Sequence, residues 1–127
     1  MAIKLNHTIV HSLDPRVAAG FFADIFGRPP PQPFGPFLGV QVDNEVTLDF
    51  LDAEGMEIQM QHYAFLVSDA EFDAIFGRIK ERGIDYWADP GRTQPGKFNR
   101  HFGGRGVYFQ DPSGHMLEII TRPYGSA

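Results

Sequence analysis

The segment LNHTIVHSLD (residues 5–14) is echoed by MQHYAFLVSD (residues 60–69), so that His7 stands over His62 and Asp14 over Asp69. An internal repeat of this kind limits the fold more than any single motif, because both copies have to build the same supersecondary unit. Each copy opens with a strand-like run and continues into an amphipathic pattern. Val17, Phe21 and Ile25 recur at helical spacing in the first copy, and Phe72, Ile75, Phe76 and Ile79 in the second. The helix ends can also be read. Asp14 is expected to cap with Pro15 at the first helical position, Ser68 and Glu71 to form a capping box, and Gly27 and Gly83 to terminate the helices.

Beyond each helix the chain returns to strand-like runs, roughly 37–42 and 46–51 in the first half and 107–110 and 115–121 in the second. The halves close on Leu48-Asp49-Phe50 and Leu117-Glu118-Ile119. Each half therefore reads as βαβββ, opening on a histidine and closing on a carboxylate. The predicted class is α+β, one domain over 1–127, with module 1 at about 1–57 and module 2 at about 58–127 sharing a curved mixed sheet. The second half is longer, and its surplus falls in the loop 89–106. Between the first helix and its following strands, RPPPQPFGPF should be extended and stiff, because proline fixes φ and disfavours helix in its neighbours. It is expected to wall a site.

With 127 residues and an apolar fraction of 43%, the chain can bury one real core. A formal charge of −5 argues against a general nucleic-acid or anionic-membrane binder. Residues 1–10 lack a basic segment followed by a long apolar run, and no stretch is apolar for long enough to span a bilayer. The expected protein is soluble and cytoplasmic, with no membrane partner. The absence of cysteine excludes disulfides and thiolate metal sites, so any metal must be held by His, Asp or Glu.

In alternating strands His7 lies among Leu5 and Ile9, His62 among Met60 and Ala64, and Glu118 among Met116 and Ile120. Polar groups buried in such surfaces need a partner or a cation. Two imidazoles and a carboxylate in symmetry-related places favour a divalent metal, with core histidines and a Glu–Arg pair as the alternative. Asp49 occupies the position equivalent to Glu118 and is a candidate fourth ligand or acid/base group, or else a partner for a cationic side chain. Asp111-Pro112-Ser113-Gly114 suits a type I turn with a bulge that pairs Asp111 with His115, making His115 a turn residue facing away from Glu118. Counting outward, Tyr108 falls opposite Glu118, where its phenol could donate to a bound oxygen anion or simply fill the strand. Arg92, Lys97, Arg100, His101 and Arg105 form a basic run without an acid, either a binding loop for an anionic substrate or a solvated loop.

The two βαβββ halves, with His on each first strand and a carboxylate on each last one, resemble the vicinal oxygen chelate superfamily. That group includes glyoxalase I, fosfomycin-resistance and bleomycin-binding proteins and extradiol dioxygenases. HYAFLVSDAEFDAIFGRIKERGI and VYFQDPSGHMLEII are similar to its second module. The resemblance implies His7, His62 and Glu118 as metal ligands, a homodimer and a small-molecule substrate. The stretch from Asn99-Arg100-His101 through Val107-Tyr108, Asp111-Pro112 and Gly114 to Glu118 is similar to the extradiol signature. It implies His101 and Tyr108 as catalytic groups beside Fe(II), and a substrate chelating through two adjacent oxygens. Asp49 stands near the place of a further acid/base histidine. The other branches imply a glyoxalase-type lyase or isomerase, a fosfomycin-type thiol transferase with Mn, Ni or Zn, or a protein that sequesters an anionic or aromatic compound. Ile9 departs from the thiol-transferase pattern, which has a threonine there.

Overall fold

The computed structural model describes residues 3–125. The chain divides into two compact units, the first ending at Gln59 and the second beginning at Met60. The first unit runs β1 (His7–Ser12), α1 (Pro15–Phe26), β2 (Gln32–Phe34), β3 (Phe37–Gln41) and β4 (Thr47–Asp52). The second runs β5 (His62–Leu66), α2 (Asp69–Glu81), β6 (Tyr86–Trp87), β7 (Gly106–Gln110) and β8 (Met116–Ile120), with a 3₁₀ turn at His101–Gly103. Both are βαβββ, and each builds its own four-stranded sheet, in the orders β1-β4-β3-β2 and β5-β8-β7-β6.

The helices begin and end for the reasons read in the sequence. Asp14 Oδ1 accepts the Arg16 N–H at 3.0 Å, Pro15 opens the helix, and Gly27 closes it at φ +68° while the Arg28 N–H reaches the Ala23 carbonyl. Ser68 Oγ accepts from the Glu71 N–H at 3.1 Å and the Ser68 N–H donates to Glu71 Oε1 at 2.9 Å, completing the capping box. At the other end the Ile84 N–H bonds the Ile79 carbonyl across Gly83, whose φ of +64° suits the left-handed closing residue.

One expectation changes. The proline-rich segment is not only a connection, because its residues Gln32–Phe34 form β2, paired antiparallel with β3. Gly35, at φ +55°, occupies the first central place of a two-residue hairpin between Phe34 and Phe37, where a type II′ turn calls for glycine. Pro33 is tolerated because β2 is an edge strand.

A second correction concerns burial. In the first unit α1 packs on β1, β3 and β4. The buried side chains Val10, Val40, Leu48 and Phe50 belong to the sheet, and Ala18, Ala19, Phe22 and Ile25 to the helix. Since side chains alternate along a strand, His7 and Ile9 lie on the opposite face, which is exposed rather than buried as expected. His62 is likewise exposed on β5, and Leu5, Met60 and Leu66 are each more than half exposed. Among the described residues no helix is long and apolar enough to cross a membrane.

The β7–β8 turn has the expected register. Asp111 and His115 pair through the Asp111 N–H and His115 carbonyl at 2.9 Å, Gly114 takes φ +93°, and Tyr108 stands opposite Glu118. His115 is more than a turn residue. It is buried, and its Nδ1 accepts the Gln61 N–H at 3.0 Å, tying the turn to the entry of β5. The buried Asp111 carboxylate accepts the N–H groups of Ser113 and His115. Burial raises its pKa above the ordinary value, against the opposing pull of these donors and of His115. A raised folded-state pKa contributes stability at acidic pH that is lost as pH rises through it, so this carboxylate is held by its acceptor geometry and not by its charge. Replacing Asp111→Ala should therefore cost about 1–3 kcal/mol at pH 7, the penalty for stranding buried amides. Asp111→Asn should cost markedly less; urea denaturation of the two variants measures the difference.

Candidate functional site

The exposed sheet face of the second unit carries a row of residues fixed by strand register. Ala64 on β5 faces Glu118 on β8, Glu118 faces Tyr108 on β7, and Tyr108 faces Trp87 on β6. His62, two residues before Ala64 and on the same face, reaches Glu118, with Nε2 to Oε1 at 2.9 Å. The Glu118 side chain is 12% exposed and that of His62 45%, so the carboxylate is sheltered and the imidazole stands in front of it. The rings of His62 and Tyr108 are 5.7 Å apart. His62, Glu118 and Tyr108 thus come together on this face.

The phenol of Tyr108 is pushed well above its ordinary pKa, first by burial and then by its hydrogen bond to Glu118 and the negative charges of Glu118 and Asp89. It is therefore a hydrogen-bond donor across the working pH range and not a base. Asp89 is held in its charged form by the Thr93 hydroxyl and the Thr93 and Gln94 N–H groups, which keep its pKa low.

In the first unit the equivalent row is Ile9, Asp49, Gly39 and Gln32. His7 and Asp49 line one cavity of about 640 Å³, whose wall includes Pro29, Pro30, Pro33 and Phe34. The expectation that the proline-rich segment walls a site holds within this unit. Arg28 anchors that wall, its Nε donating to the Gln41 carbonyl and its Nη1 to Asp43, both at 2.8 Å. The His7 Nδ1 lies 2.7 Å from the Asn6 Oδ1, an acceptor, a contact that suits the tautomer with its proton on Nδ1 and leaves Nε2 as the ring nitrogen open to a ligand. Asp49 sits on the central strand β4 and is 7% exposed. Among the described residues no hydrogen bond or ion pair reaches its carboxylate, so it is not the strand-edge partner of a lysine or arginine.

The basic run does not act as one patch. Arg105 is committed, with Nη1 to Asp73 at 2.8 Å, Nη2 to Asp69 at 3.0 Å and its guanidinium over the Phe72 ring at 4.4 Å. The sequence could have shown this fork, since Asp69 and Asp73 are one helical turn apart on α2. Arg100 lies over Phe98, and Arg92, at φ +60°, and Lys97 are exposed on the loop. His101 is exposed in the 3₁₀ turn, its ring beside Phe102 and its N–H on Asn99 Oδ1. Among the described residues no cluster of three or more His, Asp or Glu gathers within a unit. The potential ligands are distributed, with His7 and Asp49 in the first unit and His62 and Glu118 in the second.

Comparison with known proteins places this arrangement. The profile of the Glyoxalase/Bleomycin resistance protein/Dioxygenase superfamily matches residues 4–119. The chain belongs to that superfamily. It is 61% identical to the protein titled Oxidase ChaP-H1, covering 98% of this chain and 100% of that one with a TM-score of 0.95. Oxidase ChaP-H2 is 56% identical, over 99% of this chain and 98% of its own, also at 0.95. Among curated proteins, the metallothiol transferase FosB of Shouchella clausii (strain KSM-K16) is 32% identical over 71 residues, 56% of this chain. The matched stretch spans 44% of FosB, less than half of that relative's length. The superfamily thus contains oxidases and thiol transferases that resemble this chain, and the α+β fold with paired modules is the superfamily's.

The electrostatics of Tyr108 can be checked directly. Raising the pH through about 10, the ordinary phenol value, should leave Tyr108 protonated. Tyr108→Phe should then leave the absorbance change at 295 nm over that range unaltered, whereas an ordinary phenol at this position would make the variant's change smaller.

Proposed function

We propose that the chain is a divalent-metal-dependent oxidoreductase that opens an aromatic ring bearing two adjacent oxygens, in the manner of extradiol dioxygenases. The whole-length 61% identity to a protein titled an oxidase carries the choice of reaction class. The donor set supports the metal. His7 keeps a free Nε2 lone pair with its other nitrogen fixed by Asn6, and His62 and Glu118 are already aimed at one another. In this reading His7, His62 and Glu118 hold one ion, Fe(II) by the match of two imidazoles and a carboxylate, with Mn, Ni or Zn as chemically compatible substitutes. The ion supplies Lewis acidity and a template for two vicinal oxygens.

The chain's own residues do the rest. Tyr108, whose single O–H is held by Glu118 in this structure, would turn it to negative charge developing on substrate once Glu118 is taken up as a metal ligand. Asp49 accepts the proton that a substrate hydroxyl releases, and its burial at the wall of the His7 cavity places that acceptor away from bulk water. His101, Arg92, Lys97 and Arg100 on the exposed loop serve substrate entry, while Arg105 contributes by holding the loop on α2. The exposed apolar residues Leu5 and Met60 just before the first strands, and Ile9 and Leu66 on them, support pairing of two chains.

Thiol transfer is the second reading, favoured by the match to FosB and weakened by Ile9. Anaerobic purification with metal analysis, followed by oxygen uptake with a panel of catechols, separates the two. One equivalent of Fe(II) with oxygen consumption is expected, and thiol consumption without oxygen uptake would reverse the choice. Glu118→Ala should abolish metal retention; unchanged affinity would move the site elsewhere. Asp49→Asn should lower kcat by about 10²–10⁴, the usual worth of a positioned acid/base group, with little change in metal content.

A further inference from the structure

The two modules place different side chains at equivalent points of their chemical faces. In the second, Glu118 is flanked along its row by Tyr108 and Trp87. In the first, Asp49 is flanked by Gly39 and then Gln32. Gly39 is thus the counterpart of Tyr108, and where one module sets a phenol against its carboxylate the other sets nothing. A Cβ added at Gly39 would lie 3.2 Å from both Asp49 Oδ1 and Thr47 Cγ2, so even alanine would crowd the carboxylate. Both Gly39 and Asp49 open onto the cavity of about 640 Å³, a size within the ~300–1,000 Å³ typical of small-molecule sites.

We propose that Gly39 is a specificity-determining residue: having no side chain where the second module carries Tyr108, it leaves the Asp49 carboxylate uncovered toward the cavity, and so admits the hydroxylated ring of the substrate. The proposal rests on the ring-opening reading above and names the part of the site that selects for a ring. Three observations define the chemistry admitted. The buried Asp49 carboxylate has no donor among the described residues and, being acceptor-only when ionised, calls for a hydroxyl. Arg28, which lines the cavity, is already engaged by the Gln41 carbonyl and Asp43, so it presents no free fork beside Asp49. Phe34, exposed at the hairpin tip, and the proline wall offer flat apolar surfaces against which a planar ring can lie. Beside Asp49 the cavity suits a ring hydroxyl.

The test uses the full metal-loaded chain under nitrogen, titrated by calorimetry with catechol and, separately, with oxalate, which chelates through two oxygens but has no ring. Gly39→Ala should weaken catechol binding about tenfold and leave oxalate binding within about twofold. Gly39 has no positive φ, so alanine is compatible with the strand, and thermal midpoint and metal content serve as fold controls. Phe34→Ala, which does not touch Asp49, should also weaken catechol selectively, and Phe34→Tyr should restore it. Catechol binding unchanged in both alanine variants, equal losses for catechol and oxalate, or no catechol binding by the unaltered chain would each overturn the proposal. The reaction is judged separately. Selective loss of catechol in a protein that consumes no oxygen would keep the ring pocket and remove the ring-opening assignment.

Discussion

Parallel pairing of the first and last strands within each module is the constraint on which the remaining geometry depends. The crossover between them has to run out through a helix and return through two more strands before the closing strand can lie beside the opening one. That route places the closing strand in the interior of the sheet and the opening strand at its edge. The carboxylates Glu118 and Asp49 are therefore sheltered, while His62 and His7 stand on edge strands with their faces open. A hydrogen-bonded interior strand fixes the carboxylate firmly. An edge strand leaves the imidazole accessible to whatever completes the site.

Much of this was legible from the chain because it follows from local rules. Period-two alternation and the Asp-Pro-Ser-Gly turn were enough to set Tyr108 against Glu118, and capping chemistry fixed both helices to within a residue or two. The histidines were misjudged as buried for a definable reason. Apolar neighbours such as Leu5, Ile9 and Met60 say that a face avoids water, but not whether the chain itself covers it. The helix in fact covers the opposite face in the first module. Strand β2 was missed because three consecutive prolines suppress every ordinary strand signal, and only edge position and a glycine turn make pairing possible there. The loop's cations looked alike in sequence; only the fold distinguishes Arg105, which is held by two carboxylates and a ring, from Arg92 and Lys97.

The repeat is also informative where it breaks. The strand order and the parallel register are duplicated, while the helix caps and the residues next to the two carboxylates diverge. Gly39 against Tyr108 is the sharpest of these differences, and it could have been read by counting outward from Asp49 as from Glu118. Duplication preserved what folding requires and left the sheet face free to specialise.

That specialisation separates two kinds of proton chemistry. Around Glu118, burial and negative charge hold the Tyr108 proton in place, so the phenol there is a donor and not an acceptor. Around Asp49 no donor is supplied, and the carboxylate faces a cavity and not a phenol. A reaction that both removes a proton from substrate and stabilises the charge left behind needs an acceptor and a donor that do not neutralise one another. Had both modules kept a tyrosine, each carboxylate would hold its own phenol's hydrogen bond and neither would be free to accept. The missing side chain at position 39 leaves Asp49 turned to the cavity, so under the proposed reaction the asymmetry between the modules supplies an acceptor in one and a donor in the other.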